Sequence, residues 1–253
     1  MKIICLVFCV FGLFFQSLNF SNRPWQNGYP LVLDAYYANT IDYKKLVASK
    51  KVSAIIFKAS DDLKADTGYA QSIIDGKKNG FGIGSYHLGR KSDPIKQADF
   101  YLSKIGTDQK FMALDIEGTG IKDISLTDAE KFIQRIFEKT GRYPFLYCNN
   151  VVFEAITAKY DSKSQFAKCP LWYARFLNEL PKLSTKVWDK VTLWQFACEI
   201  NCQECLEKDA KGNCTKKGAD YDPTCPQRID GTRPDMDINA YNGDINSLKS
   251  VFN

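Results

Sequence analysis

The sequence predicts an α/β protein: a single (β/α) TIM-like barrel with a Cys-rich loop insertion between its seventh and eighth strands. Three observations carry that reading. Short apolar runs alternate with amphipathic stretches along the chain, which is the pattern of strands separated by helices. The chain has 253 residues, enough for one large core. No internal repeat or low-complexity linker divides it. An open doubly wound sheet is the competing architecture, since strand count decides between the two.

Taken in order, the predicted strands are Pro30–Ala35, Val52–Ala59, Gly82–Leu88, Phe111–Glu117, Pro144–Cys148, Leu171–Arg175, Val191–Phe196 and Asp235–Asn239. Helical patterns occupy Tyr43–Ser49, Gly68–Asn79, Pro94–Ile105 and Thr127–Thr140. The last has two candidate N-caps, Ser125-x-x-Asp128 and Thr127-x-x-Glu130, and stops at Gly141. Residues 198–233 break the alternation. They are charged, rich in Cys, Gly and Pro, and show neither period, so they are read as a long loop stapled by disulfides. Asn213-Cys214-Thr215 within them is an N-glycosylation acceptor.

The N-terminus reads as a secretory signal peptide over residues 1–21: Lys2, an apolar run Ile3–Phe15, then a more polar stretch. Residues 22–253 form the expected mature domain, soluble and without a membrane anchor once the signal is cleaved. Of nine cysteines, Cys5 and Cys9 leave with the signal. The remainder suit disulfides in an exported protein, and the irregular spacing from Cys198 to Cys225 suits a zinc knuckle less well. The formal charge of +5 is mild and no Lys/Arg block interleaves with aromatics, which gives nucleic-acid binding little support. The single His excludes a metal site built on two histidines, and no metal or other cofactor is expected.

Leu114-Asp115-Ile116-Glu117 is the segment with the most chemical content. As a strand it places both acids on one face and both aliphatics on the other. Two neighbouring acids at the end of an apolar strand resist simultaneous ionisation, and a protonated acid beside an ionised one is the equipment of glycosidic-bond cleavage. Spacing alone does not single it out, because Asp128-Ala129-Glu130, Glu207-Lys208-Asp209, Asp220-Tyr221-Asp222 and Asp235-Met236-Asp237 share it. In a parallel barrel, function sits at the carboxyl ends of the strands. That rule gathers Asp34, Tyr86, His87, Asp115, Glu117, Tyr147, Trp172, Tyr173, Trp194, Gln195 and Asp237 at one rim. Carboxylates among aromatics suit a sugar polymer, with rings stacking on pyranose faces and acids and amides binding hydroxyls. Of the tryptophans, Trp194 is the expected sugar-facing one, and His87 is read as a satisfied core or rim histidine ahead of a proton shuttle.

An ordered set of motifs resembles the Chalaropsis-type lysozymes of glycoside hydrolase family 25. It comprises Leu33-Asp34, Ile41-Asp42-Tyr43, Ile55-Ile56-Phe57-Lys58-Ala59-Ser60, Gly84-Ser85-Tyr86-His87, Gln97-Ala98 and Leu114-Asp115-Ile116-Glu117. It continues with Thr140-Gly141-Arg142-Tyr143-Pro144, Pro170-Leu171-Trp172-Tyr173-Ala174, Leu193-Trp194-Gln195-Phe196, Asp237-Ile238-Asn239 and Tyr241-Asn242-Gly243. The resemblance implies hydrolysis of the β-1,4 bond from N-acetylmuramic acid to N-acetylglucosamine in peptidoglycan. It implies Glu117 as general acid, its proton kept by burial and neighbouring carboxylates. Asp115, ionised, would assist the substrate's 2-acetamido group as internal nucleophile, and Asp34 and Asp237 would be the supporting rim acids.

The substrate-binding set is then Tyr86, His87, Tyr147, Trp172, Tyr173, Trp194 and Gln195, in a monomer whose partner is the glycan strand. Location is expected to be extracellular or the lumen of a digestive, phagosomal or lysosomal compartment. Cys148 is expected to pair with the insertion and Cys169 to remain a thiol. The competing functions are a hydrolase of another N-acetylated glycan such as chitin, and a non-catalytic secreted carbohydrate-binding protein.

Overall fold

A computed structural model describes residues 28–177, 180, 182–198, 229–233 and 236–252, together with the backbone of 205–208 and 214–217. The expected signal peptide and most of the cysteine-rich segment lie outside the described residues. Among the described residues no helix is long and apolar enough to cross a membrane.

The barrel closes. Its strands are β1 (Leu31–Ala35), β2 (Val52–Asp61), β4 (Gly82–Leu88), β5 (Phe111–Ile116), β6 (Phe145–Asn149), β7 (Leu171–Ala174), β8 (Leu193–Ala197) and β11 (Asp237–Tyr241). Neighbours pair in the order β1-β11-β8-β7-β6-β5-β4-β2, and β1 pairs with β2 to complete the ring. The two-residue β3 (Lys64–Ala65) folds back on the end of β2. Helices α1 (Tyr43–Ser49), α2 (Tyr69–Lys78), α3 (Pro94–Ile105), α4 (Leu126–Thr140) and α5 (Asn150–Lys159) are interleaved with the strands, and α6 (Ile245–Phe252) follows the last one.

One strand departs from expectation. β11 runs antiparallel to both of its neighbours, β1 and β8. Two parallel strands need a crossover that carries the chain back to the opposite end. Here the chain leaves β8 at the functional rim and re-enters through β11 from that same rim, so no crossover is made. Asp237 therefore reaches the rim as the first residue of its strand, opposite Asp34.

The insertion also contains structure that its composition hides. β9 (Cys205–Lys208) and β10 (Cys214–Lys217) pair as an antiparallel hairpin whose register slips twice. Short charged strands with bulges have no apolar alternation for a period-two reading to detect.

Strand alternation separates two apolar layers. Outward residues such as Leu33, Ile55, Phe57, Leu114, Ile116 and Phe196 pack against the helices. For α4 the matching face is Ala129, Phe132, Ile133 and Ile136, with Ser125 Oγ accepting the Asp128 N–H and Gly141 in the left-handed region at its C-cap. Inward residues fill the barrel: Val32, Ala54, Ile56, Phe111, Ala113, Phe145, Trp172 and Leu193. Its floor is an aromatic stack, in which Phe111 lies on Phe145 with centroids 4.2 Å apart and on Phe252 of α6 at 4.7 Å. A Cβ on Gly84 would come within 2.7 Å of Phe111 and 2.9 Å of Phe252, so only glycine on β4 admits this plug.

The cysteines correct another expectation. Cys148 does not pair with the insertion: it faces outward on β6, buried in the sheet–helix layer as a free thiol. Alternation sends it away from the lumen and from the rim where the insertion emerges. Cys169 is a free buried thiol as expected, its Sγ donating to the Gln165 carbonyl at 3.5 Å.

Candidate active site

Above the aromatic floor the lumen turns polar. Trp172 spans it, edge-on to Tyr147 at 4.8 Å and to Tyr86 at 6.3 Å, and its Nε1–H donates to Asn239 Oδ1 at 2.6 Å. Asn239 Nδ2 donates in turn to Asp34 Oδ2 at 2.6 Å and to the Val32 carbonyl at 3.1 Å. Gln195 completes the network. Its Nε2 lies 3.2 Å from Asp34 Oδ2 and 3.2 Å from Asp237 Oδ2, while its Oε1 accepts the Tyr147 hydroxyl at 2.9 Å. The Tyr147 hydroxyl on the amide oxygen orients the Gln195 NH2 towards the two acids.

Asp34 and Asp237 face each other across the β1–β11 ladder and hydrogen-bond directly, which requires a proton between them. Burial pushes Asp34 up to about 6, against the hydrogen bonds from Asn239 and Gln195 that favour its charged form. Asp115 lies deeper in electrostatic terms. It is 5% exposed, and its Oδ1 has no hydrogen-bond partner in the structure. Burial, then the Glu117 and Asp34 charges, hold its carboxyl well above the usual carboxylate range, with Lys58 and Arg90 opposing. The lumenal phenols Tyr86 and Tyr147 are held protonated by burial and by the same acids.

Glu117 follows β5 on the face of Ala113 and Asp115 but is exposed. Two expectations change as a result. Glu117 is not buried, and desolvation drives Asp115 towards its acid form. Asn149 fixes the position: its Nδ2 donates to the Glu117 carbonyl at 2.6 Å while its Oδ1 caps α5 through the Val152 N–H.

The structure thus brings together Asp34, Asp115, Glu117, Asp237, Tyr86, Tyr147, Trp172 and Gln195. It sends three expected residues elsewhere. His87 points outward, bonded by Ser60 Oγ at 2.8 Å and Gln97 Oε1 at 3.1 Å and stacked on Phe132, and burial lowers it to about 4. Tyr173 points outward, its hydroxyl donating to Asn150 Oδ1 at 2.6 Å. Trp194, the expected sugar-facing indole, is fully buried in the outer layer with its Nε1–H on the Arg175 carbonyl. The reason is the same each time: a strand cannot aim two successive side chains into one lumen, and Tyr86, Trp172 and Gln195 hold the inward places. Two lumenal residues were missed, Asn239 and Lys58. Each sits an even number of positions from an inward residue, Asp237 and Ile56 respectively, so alternation could have found them.

Acids, amides and phenols above an aromatic floor, at the rim of a closed barrel, equip the molecule to hold a hydroxyl-rich chain and to move protons at it. This is the layout of a barrel glycoside hydrolase. The chain belongs to the glycosyl hydrolases family 25, whose model matches residues 34–205. Solved structures agree on the fold. A bacterial lysozyme from Streptomyces coelicolor is 20% identical with a TM-score of 0.67, covering 89% of this chain and 97% of that one. A muramidase from Trichobolus zukalii is 20% identical with a TM-score of 0.63, covering 88% and 98%. A family GH25 lysozyme from Aspergillus fumigatus is 18% identical with a TM-score of 0.64, covering 88% and 98%. No curated protein sequence matches the chain.

Proposed function

We propose that this chain is an exported lysozyme that hydrolyses the β-1,4 bond between N-acetylmuramic acid and N-acetylglucosamine in peptidoglycan. Family membership supplies the reaction class. The observation that carries the reading further is the buried, unpartnered Oδ1 of Asp115 beside Glu117 at a rim crossed by the Asp34–Asp237 pair.

In this reading Glu117 protonates the glycosidic oxygen as the bond to the anomeric carbon breaks. The carbonyl oxygen of the substrate's 2-acetamido group attacks that carbon, forming a cyclic intermediate. Glu117, now a carboxylate, takes a proton from the water that opens the ring. The acetamido N–H finds its acceptor in Asp115 Oδ1. A donor there favours the ionised carboxylate, which balances the positive charge that develops on the acetamide. A sugar seated on the rim also covers Glu117 and excludes water from it. Asp34, Asp237 and Gln195 form the opposite wall, and with Tyr147 beside Asp115 they bind hydroxyls. The signal-like Ile3–Phe15 run supports export, to the outside or to a digestive lumen.

Turbidity of purified bacterial walls, followed with the wild type, Glu117→Gln and Asp115→Asn, tests the assignment. Clearance by the wild type alone supports it. Walls left intact by all three remove the hydrolase reading and favour a binding protein, and equal clearance by wild type and Glu117→Gln removes Glu117 as the acid. Muramic acid at the new reducing ends identifies a muramidase, whereas glucosamine there, or a preference for chitin, rejects it.

A further inference from the structure

Behind the acid pair lies a chain of alternating charge. Lys58 sits on the lumenal face of β2, in step with Ala54 and Ile56, and its Nζ is 3.4 Å from Asp61 Oδ2. Arg90 grips the same carboxylate with both arms, Nε to Oδ1 at 2.8 Å and Nη2 to Oδ2 at 3.2 Å. Its Nη1 lies 3.6 Å from Asp123 Oδ1. Asp123 belongs to the loop that begins with Glu117, and it folds that loop on itself by accepting the Gly120 N–H at 2.8 Å. A Cβ on Gly118 would stand 2.4 Å from Asp123 Oδ2, so the turn after Glu117 closes tightly on this carboxylate.

Arg90 is held from behind as well. The buried Gln97 side chain accepts the Arg90 N–H at 2.9 Å and donates to its carbonyl at 2.8 Å. Residues 90 and 123 also form an isolated antiparallel bridge, flanked by the Lys91 N–H on the Lys122 carbonyl and the Ile124 N–H on the Gly89 carbonyl. The guanidinium is 32% exposed and Asp61 36%, so this ion pair contributes little to global stability. A forked contact to two carboxylates on separate elements serves geometry better than it serves stability.

We propose that Arg90 is a positioning residue for the acid pair: it ties the Glu117 loop to the end of β2 through Asp123 and Asp61 and, with Lys58, supplies the positive field beside Asp115 and Glu117. The inference rests on the hydrolase reading above. Two cations, Lys58 and Arg90, face the pair. Asp34 and Asp237 face it across the lumen, Tyr86 and Tyr147 beside it. Asp61 and Asp123 lie on the far side of Arg90.

The test compares Arg90→Met and Arg90→Lys with the wild type in kcat, KM, pH profile and melting temperature on soluble peptidoglycan strands. Arg90→Met is expected to lose about 10- to 100-fold in kcat with little change in KM, the scale of a misplaced catalytic group. Its acid limb moves to higher pH, because removing a cation beside carboxylates favours their protonated forms. Arg90→Lys restores the acid limb but not kcat, since an ammonium keeps the charge and loses the fork. Should Arg90→Met not fold, Asp123→Asn carries the geometric half of the test with a fall in kcat. Unchanged kcat and acid limb in both Arg90 variants, or a change in melting temperature alone, overturns the inference. A wild type inactive on peptidoglycan overturns the hydrolase reading, and this inference with it.

Discussion

Replacing Asp34 with Asn should change the pH dependence of stability in a direction opposite to the usual acid denaturation. Asp34 is raised from 3.8 to about 6 in the folded protein, chiefly by burial. A carboxyl that prefers its proton when folded contributes stability that is fully present below the unfolded value and lost as pH rises through the folded one. At about 1.4 kcal/mol per unit, this shift corresponds to roughly 3 kcal/mol between about pH 4 and about pH 7.5. Asn cannot ionise and escapes that loss. It also pays a constant penalty of about 1–3 kcal/mol: its oxygen can replace Oδ2, which accepts from Asn239 and Gln195, but its NH2 then meets the Gln195 NH2, 3.4 Å from the Oδ1 it replaces. The variant should therefore be less stable than the wild type at low pH and close to it, or above it, at neutral pH. Calorimetric melting curves of both proteins measure this, and the difference in Tm between them should change by about 6–12 °C across the range. Taking the difference cancels titrating groups that do not interact with Asp34, such as His87, and leaves the response of Asp34 and the acids it faces. A Tm difference that is the same at both ends of the range would refute the reasoning.

His87 should act in the opposite sense: lowered from 6.5 to about 4 by burial, it contributes stability above its unfolded value that is lost as pH falls through the folded one. His87→Gln should remove up to about 3 kcal/mol of acid sensitivity, read from urea midpoints at several pH values. Trp172→Phe keeps the ring stack but leaves Asn239 Oδ1 without its donor, which should cost about 1–3 kcal/mol in denaturant titrations. Asn149→Ala both uncaps α5, at about 1 kcal/mol, and releases the Glu117 carbonyl, so wall-clearing activity should fall further than stability explains. Cys148 and Cys169 should resist alkylation in the native protein and react once it is unfolded without reductant, as mass spectrometry would show.

The barrel was legible because strands buried on both faces read as apolar runs whatever their direction, and α3 and α4 announce their ends with Asp93-Pro94, Ser125 and Gly141. α5 and α6 went unread: α5 begins directly after β6, without a turn to separate them. The direction of β11 was not legible, since direction is set by where the preceding connection emerges and the run Asp237–Tyr241 is silent on that. Within the site, the four acids were found from the rim rule. The errors at His87, Tyr173 and Trp194 came from applying that rule to adjacent residues without alternation. The burial expected for Glu117 was not legible, because exposure just past a strand end depends on how the loop beyond it folds, here through Asp123 and Arg90.

The reversed final strand bears on when the molecule becomes active. Asp34 and its partner Asn239 are 205 residues apart, and β11 is the last strand of the barrel in chain order. Until it arrives, β1 has β2 as its neighbour in the ring, the edges of β1 and β8 stay open, and the rim lacks Asp237 and Asn239. Closing a ring over such a separation is slow, because the loop entropy must be met before the contacts repay it. A nascent or C-terminally clipped chain therefore has Glu117 and Asp115 but no opposite wall. The wall that faces the acid pair is thus assembled only when β11 enters the ring, whatever the order in which the other strands have paired.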